Sequence, residues 1–98
     1  MQKFDVIVIG CGGIGSATLY SLASRGARVL GIDRYHPPHD KGSSHGQSRI
    51  IRQAYFEPPD YVPLLREAYQ GWFDLEEQTG QTLLHQVGLL QVGPADGF

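Results

Sequence analysis

Phe4 to Ile9 is a short, largely β-branched apolar run that stops at Gly10-Cys11-Gly12-Gly13-Ile14-Gly15. No other stretch of the chain restricts its fold so strongly. A run of this length closed by glycine reads as a strand buried on both faces of a parallel sheet, and here as the central one. The six residues after it fit the spacing GxGxxG, in which each glycine has a steric task. The first makes the tight turn, the second lets the backbone approach a pyrophosphate, and the third lets a helix pack close on the strand. From Gly13 to Arg25 the apolar residues Ile14, Ala17, Leu19, Leu22 and Ala23 recur at helical spacing, with Gly26 as the stop and Arg25 at the negative end of the helix dipole. Arg28 to Ile32 predicts a second strand, with Asp33 at its carboxyl end. Strand, turn, helix and strand within ~30 residues make a βαβ unit, whose right-handed crossover sets the two strands side by side and parallel.

The chemistry of such a unit is that of a dinucleotide site. A helix N-terminus offers free N–H groups and a partial positive charge to a phosphate. The carboxylate of Asp33 is placed to accept hydrogen bonds from the ribose hydroxyls of an adenosine. Glycine-rich turns are common, so the spacing alone is weak evidence; its place between a strand and a helix, followed by Asp33, carries the assignment. Asp33 favours an unphosphorylated ribose and disfavours NADP, which leaves NAD and FAD both open. Cys11 occupies a variable position of the loop, where a small side chain packed beneath the turn is the simpler expectation than a reactive thiol. As the one cysteine, it excludes an intrachain disulfide and a multi-thiolate zinc site, and no metal site is predicted.

With 98 residues the chain can build one small core, whereas a redox enzyme with a nucleotide domain and a substrate domain needs far more than ~150. A net charge of -2 and a pI near 6.0 exclude nucleic acid and anionic membrane surfaces as expected partners. The apolar stretch from Val6 to Ala23 is too short and too interrupted by Gly10, Gly12, Gly13 and Gly15 to be a membrane span or a signal peptide.

Beyond Asp33 the periodicity lapses. Tyr35 to Gly46 holds two prolines, two glycines, two serines and three histidines, and reads as a loop. Ser48 to Tyr55 is expected to be extended, with Ile50 and Ile51 at its centre. After Pro58-Pro59, Asp60 is placed to cap a helix from Tyr61 to about Gln78, along which Leu65, Ala68, Tyr69, Trp72, Phe73 and Leu75 form an apolar stripe. Gly80 ends it. Leu83 to Val92 predicts a last strand or hairpin, and residues 93–97 have turn chemistry. The expected division is a nucleotide-binding βαβ unit with its following loop over residues 1–57, then a helix and strand leading towards a substrate domain over residues 58–98.

The run Gly42-Ser43-Ser44-His45-Gly46-Gln47-Ser48-Arg49-Ile50-Ile51-Arg52 is the least ordinary part of the chain. Its glycines and serines bring backbone and hydroxyl groups close to a ligand, and two arginines flank an apolar pair. On an extended strand Arg49 and Arg52 face opposite ways and can address two surfaces; on a helix they share one face. Two solvated surface arginines are the plainer alternative. Through this run, with Phe4 to Gly10, Asp33, Pro37-Pro38-His39, Ala54-Tyr55, Tyr61 to Leu64 and Gly93 to Asp96, the sequence resembles the monomeric sarcosine oxidases, a family that includes N-methyltryptophan oxidase and peroxisomal sarcosine/pipecolate oxidase.

The resemblance implies an α/β fold: a Rossmann-like FAD-binding βαβ unit forming the N-terminal part of a two-domain FAD-dependent amine oxidase. It implies FAD held by Gly10, Gly12, Gly13, Ile14, Gly15 and Asp33, with Ser43, Ser44, Ser48, Arg49 and Ile50 near the cofactor. Arg49 would lie against the flavin ring, its charge favouring the reduced anionic form. Arg52 would hold a substrate carboxylate, and His45 would modulate the site. The implied reaction oxidises a secondary amino acid, namely sarcosine, another N-methyl amino acid or pipecolate. A hydride equivalent passes to FAD, the imine hydrolyses, and oxygen takes the electrons to give hydrogen peroxide. Family members attach FAD through a cysteine in the C-terminal part and activate oxygen with a lysine there. Cys11 is unsuited to that bond, so the chain is expected to need a C-terminal half and to be inactive alone. Alternatives are another FAD amino-acid oxidase, an NAD-dependent dehydrogenase, or a non-catalytic nucleotide-binding module. The expected location is cytoplasmic, or peroxisomal in a eukaryote.

Overall fold

The computed structural model of the chain describes residues 1–53 and 58–96. Its elements, in order, are strand β1 (Val6–Ile9), helix α1 (Gly13–Ser24), strand β2 (Val29–Ile32) and helix α2 (Tyr61–Thr79). They fall into two compact units, Met1–Arg49 and Ile50–Phe98.

In the first unit β1 and β2 pair in parallel, in the register Val6 with Val29, Ile7 with Leu30, Val8 with Gly31 and Ile9 with Ile32. The strands are tied at both ends. Asp5 and Arg28 bond reciprocally, the Asp5 N–H to the Arg28 carbonyl at 2.7 Å and the Arg28 N–H to Asp5 Oδ2 at 2.8 Å. At the other end the Gly10 N–H donates to the Ile32 carbonyl at 2.7 Å. Helix α1 crosses between the strands and turns Gly15, Leu19 and Leu22 inward at i, i+4 and i+7, while Ile14, Ala17 and Ala23 stay exposed. Two glycines permit this approach. A Cβ on Gly15 would sit 1.7 Å from the Gly10 carbonyl oxygen, and one on Gly31 would sit 2.6 Å from Leu19 Cδ1 and 2.8 Å from Cys11 Sγ. The sulfur of Cys11 thus lies over β2, as expected of a small packed side chain.

Helix α1 ends in a Schellman turn. Gly26 takes φ +87°, its N–H bonds the Ala23 carbonyl at 2.9 Å, and the Ala27 N–H bonds the Leu22 carbonyl at 3.1 Å. Arg25 is the residue just past the last helical turn.

Three expectations differ from what is observed. The first strand is not buried on both faces: Ile7 is 55% and Ile9 87% exposed, because among the described residues only β2 and α1 pack on it. Asp60 precedes α2 but its side chain makes no cap hydrogen bond. The carbonyls of Pro58 and Pro59 take the N–H groups of Tyr61 and Val62 instead, at 3.1 and 3.0 Å, so Asp60 is already helical in backbone. Residues 48–53 belong to no helix and no paired strand, and the rest of the segment expected to be extended, Ala54 and Tyr55, lies outside the described residues. Residues 83–92 form no strand either, since no described segment pairs with them; Gly97, at the end of the expected turn, is likewise outside.

In the second unit the stripe on α2 is partly covered at Leu65, Tyr69 and Leu75, and the Tyr69 hydroxyl donates to the Ile51 carbonyl at 3.2 Å. Gly80 closes the helix at φ +67°, its N–H on the Glu76 carbonyl at 2.8 Å.

The Schellman turn is testable. Gly26→Ala forces a Cβ into left-handed backbone and should lower unfolding stability by about 1–2 kcal/mol. Gly42→Ala, where a Cβ meets nothing and φ is ordinary, should lie within about 0.5 kcal/mol of the parent in the same denaturant titration.

Candidate functional site: the groove at the start of helix α1

An open groove of about 840 Å³ lies in the first unit, within the range of nucleotide and small-ligand sites. One wall is the glycine turn and the first turn of α1, with Gly12, Gly13 and Ser16; the other is the loop carrying Pro38, His39, Ser44 and His45. The chain builds the first wall by leaving things out. Gly12, at the N-cap of α1, has no side chain to bond the helix's first N–H groups, and no acidic residue stands in the first turn. Those donors and their share of the dipole therefore face the groove. A Cβ on Gly12 would meet no protein atom within 4 Å, so the space beside this backbone is a cradle that only an added ligand or side chain would fill. Gly13 faces the opposite wall, where a Cβ would come 2.7 Å from Ser44 Oγ.

Asp33 stands at the end of β2, between Cys11 and His39, which both line the groove. Its Oδ2 accepts the Cys11 N–H at 2.8 Å; its Oδ1 accepts the Tyr35 N–H at 2.9 Å and contacts His39 Nε2 at 2.9 Å. With the side chain only 11% exposed, these donors hold its pKa down from an ordinary 3.8 to about 2. The Tyr35 N–H contributes most, then the Cys11 N–H, with burial opposing and His39 adding less. Asp33 is ionised throughout the neutral range, the state needed to accept from sugar hydroxyls.

The remaining expected site residues divide. Gly12, Gly13, Ser44 and His45 come together at the groove, and the His45 Nδ1 bonds the Gly42 carbonyl. Gly10, Ile14 and Gly15 shape the turn and helix start rather than its walls. Ser43, Ser48 and Arg49 are exposed and not part of those walls. Ile50 and Arg52 belong to the second unit, Ile50 exposed and Arg52 half-buried. His39 closes the prolyl stretch Pro37-Pro38-His39. Its contact with Asp33 spans a loop without periodicity, so nothing in the residue pattern marked it.

A family model described as FAD dependent oxidoreductase matches residues 5–97. The chain is 52% identical over 95 residues to a monomeric sarcosine oxidase of Streptomyces avermitilis, covering 97% of this chain and 25% of that protein. It is 46% identical over 94 residues to a monomeric sarcosine oxidase of a Bacillus species, covering 96% and 24%. With an N-methyl-L-tryptophan oxidase of Yersinia pestis it shares 46% identity over 93 residues, covering 95% and 25%. The chain thus spans about a quarter of the length of the curated relatives it matches.

Two outcomes follow from the geometry. Gly12→Val should abolish dinucleotide binding while the protein still folds, because the added side chain meets solvent rather than protein; cofactor content and circular dichroism of the purified variant check both halves. The second concerns acid. Because the folded pKa of Asp33 lies below its ordinary value, its contribution to stability is complete above about pH 4 and disappears as pH falls towards 2. Acid titrations of the parent and of Asp33→Asn should therefore converge over that window, the variant lacking this part of the pH dependence.

Proposed function

The chain belongs to the FAD dependent oxidoreductase family, and from that membership we propose that it supplies the FAD-binding start of an enzyme oxidising secondary amino acids with oxygen, giving an imine and hydrogen peroxide. Sarcosine, other N-methyl amino acids and pipecolate are the proposed substrates. The observation that carries the cofactor assignment is the uncapped start of α1 facing the groove, where Gly12 leaves a space bounded by backbone donors. The substrate class rests on the similarity to proteins named for sarcosine and N-methyl-L-tryptophan oxidation. Activity needs the length of the relatives that this chain does not span.

In this reading the residues act as follows. The first N–H groups of α1 hold the pyrophosphate, and Ser44, across the groove from Gly13, closes that subsite. Asp33 takes the adenosine ribose. The bound FAD would supply the two-electron acceptor, and the chain's task is to orient it and its substrate. Arg49, with Ser48 and Ile50, places a fixed positive charge near the flavin ring. Arg52 anchors the carboxylate of the amino acid through its planar fork. His45, held to the Gly42 carbonyl, modulates the site from beside the ring, and Ser43 lies near the cofactor.

The two arginines should fail differently in the full-length enzyme. Arg52→Ala should weaken carboxylate substrates by about 2 to 4 kcal/mol and leave flavin content intact. Arg49→Ala should slow flavin reduction and lower the flavin's potential, with partial rescue by lysine at position 49 and less by lysine at position 52. Rapid-mixing reduction at saturating and limiting substrate separates them. Equal losses of substrate affinity, with an unchanged limiting rate in both, would reject these roles.

A further inference from the structure

The loop after β2 returns His39 to Asp33, and the two ends of the imidazole are bound by different kinds of group. Its Nδ1 lies 3.1 Å from the backbone N–H of Lys41, which can only donate, so Nδ1 accepts. The ring proton therefore sits on Nε2, which donates to Asp33 Oδ1 at 2.9 Å. Loop backbone and carboxylate together select one neutral tautomer of His39.

An ionised carboxylate has about four acceptor positions. Three are taken here: Oδ1 receives Tyr35 N–H and His39 Nε2–H, and Oδ2 receives Cys11 N–H. One position is left on Oδ2; Asp33 itself is not among the residues lining the groove, but both its partners Cys11 and His39 are, which sets the carboxylate directly behind that wall. Without a donor from His39, Oδ1 would keep only the local Tyr35 N–H, two residues away, and of the groove's lining residues Cys11 alone would still hold the carboxylate, through Oδ2. His39 is mostly shielded, 18% exposed, and lines the groove beside this carboxylate.

We propose that His39 is a positioning residue for the sugar of the nucleotide: by donating from Nε2 to Oδ1, it locks the Asp33 carboxylate so that Oδ2 can accept a ribose hydroxyl. The inference rests on the FAD reading of the groove. It assigns His39 no contact with the reacting atoms; its effect passes through Asp33.

Asparagine and glutamine separate its two bonds. The amide oxygen of asparagine falls near the place of Nδ1 and can take the Lys41 N–H, but its side chain is too short to reach Asp33. The amide nitrogen of glutamine falls near the place of Nε2 and can donate to Asp33. The probes are ADP, the adenosine half of FAD, and 2′-deoxy-ADP, titrated calorimetrically into full-length apoprotein. The parent should prefer ADP by about tenfold or more, the value of a hydrogen bond to a charged acceptor. His39→Gln should keep that preference, and His39→Asn should reduce it to within about threefold. A merely structural loop role through Lys41 gives the reverse order, and tighter ADP binding by His39→Asn would mean that the histidine competes with the sugar; either result overturns the proposal. Should the asparagine variant not fold, the ¹⁵N shifts of His39 in the parent still decide the premise, because a proton on Nδ1 would contradict it. Failure of the parent to bind FAD or ADP would reject the cofactor reading itself. FAD binding with equal affinity for the two nucleotides would reject the role of His39 and leave that reading standing.

Discussion

Backbone meets backbone where Gly15 faces the carbonyl of Gly10. A single methyl group there would lie 1.7 Å from that oxygen, and both partners are main chain, so nothing can move aside. The contact sets the first turn of α1 against the end of β1, which in turn aims the helix's free N–H groups into the groove. It also brings Leu19 and Leu22 over the strands and, through Gly31, leaves room for the sulfur of Cys11. The groove wall at the helix start and the small hydrophobic contact beneath it are thus two sides of one steric requirement.

Asp33 joins this turn to the second wall. Its carboxylate takes donors from the glycine turn, from its own loop and from His39, so three pieces of chain that are far apart in sequence meet on two oxygens. Such a group gains from ionisation because each donor stabilises the charge, which is also why it remains charged far into acid. The same bonds that make it a structural fastener restrict how it can turn towards a ligand. Holding the loop and, in the proposed function, recognising a sugar are therefore one arrangement of one side chain rather than competing demands on it.

What local chemistry decides was readable before any coordinates. The β-branched run into glycine, the helical spacing after it and the glycines at 26 and 80 placed β1, α1, β2 and α2 to within a residue or two, because strand, helix and stop signals act over a few neighbours. Contacts that need a distant partner were not readable. The strand expected over residues 83–92 had suitable residues but no described neighbour to pair with, and β1 was expected to be covered by layers that the described residues do not provide. Asp60 had the right residue type for a cap, yet Pro58 and Pro59 had already turned the backbone and supplied its carbonyls. At the groove, the glycines were legible from spacing and Ser44 and His45 from resemblance, whereas His39 was missed because its partner lies across an aperiodic loop.

The Schellman turn also bears on how such a unit can change over time. Only residues 25–28 join α1 to β2, and their backbone is bonded at both ends, to the last turn of the helix and to Asp5. One residue inserted in α1 would swing everything after it by about 100° about the helix axis, because each residue advances the helix by that much. Leu22 would leave the strands while Gly15 stayed, and the short connection has no slack to absorb the difference. Insertions and deletions in descendants of this unit should therefore collect after Asp33, where no ladder fixes the chain, and be absent between Gly10 and Ile32.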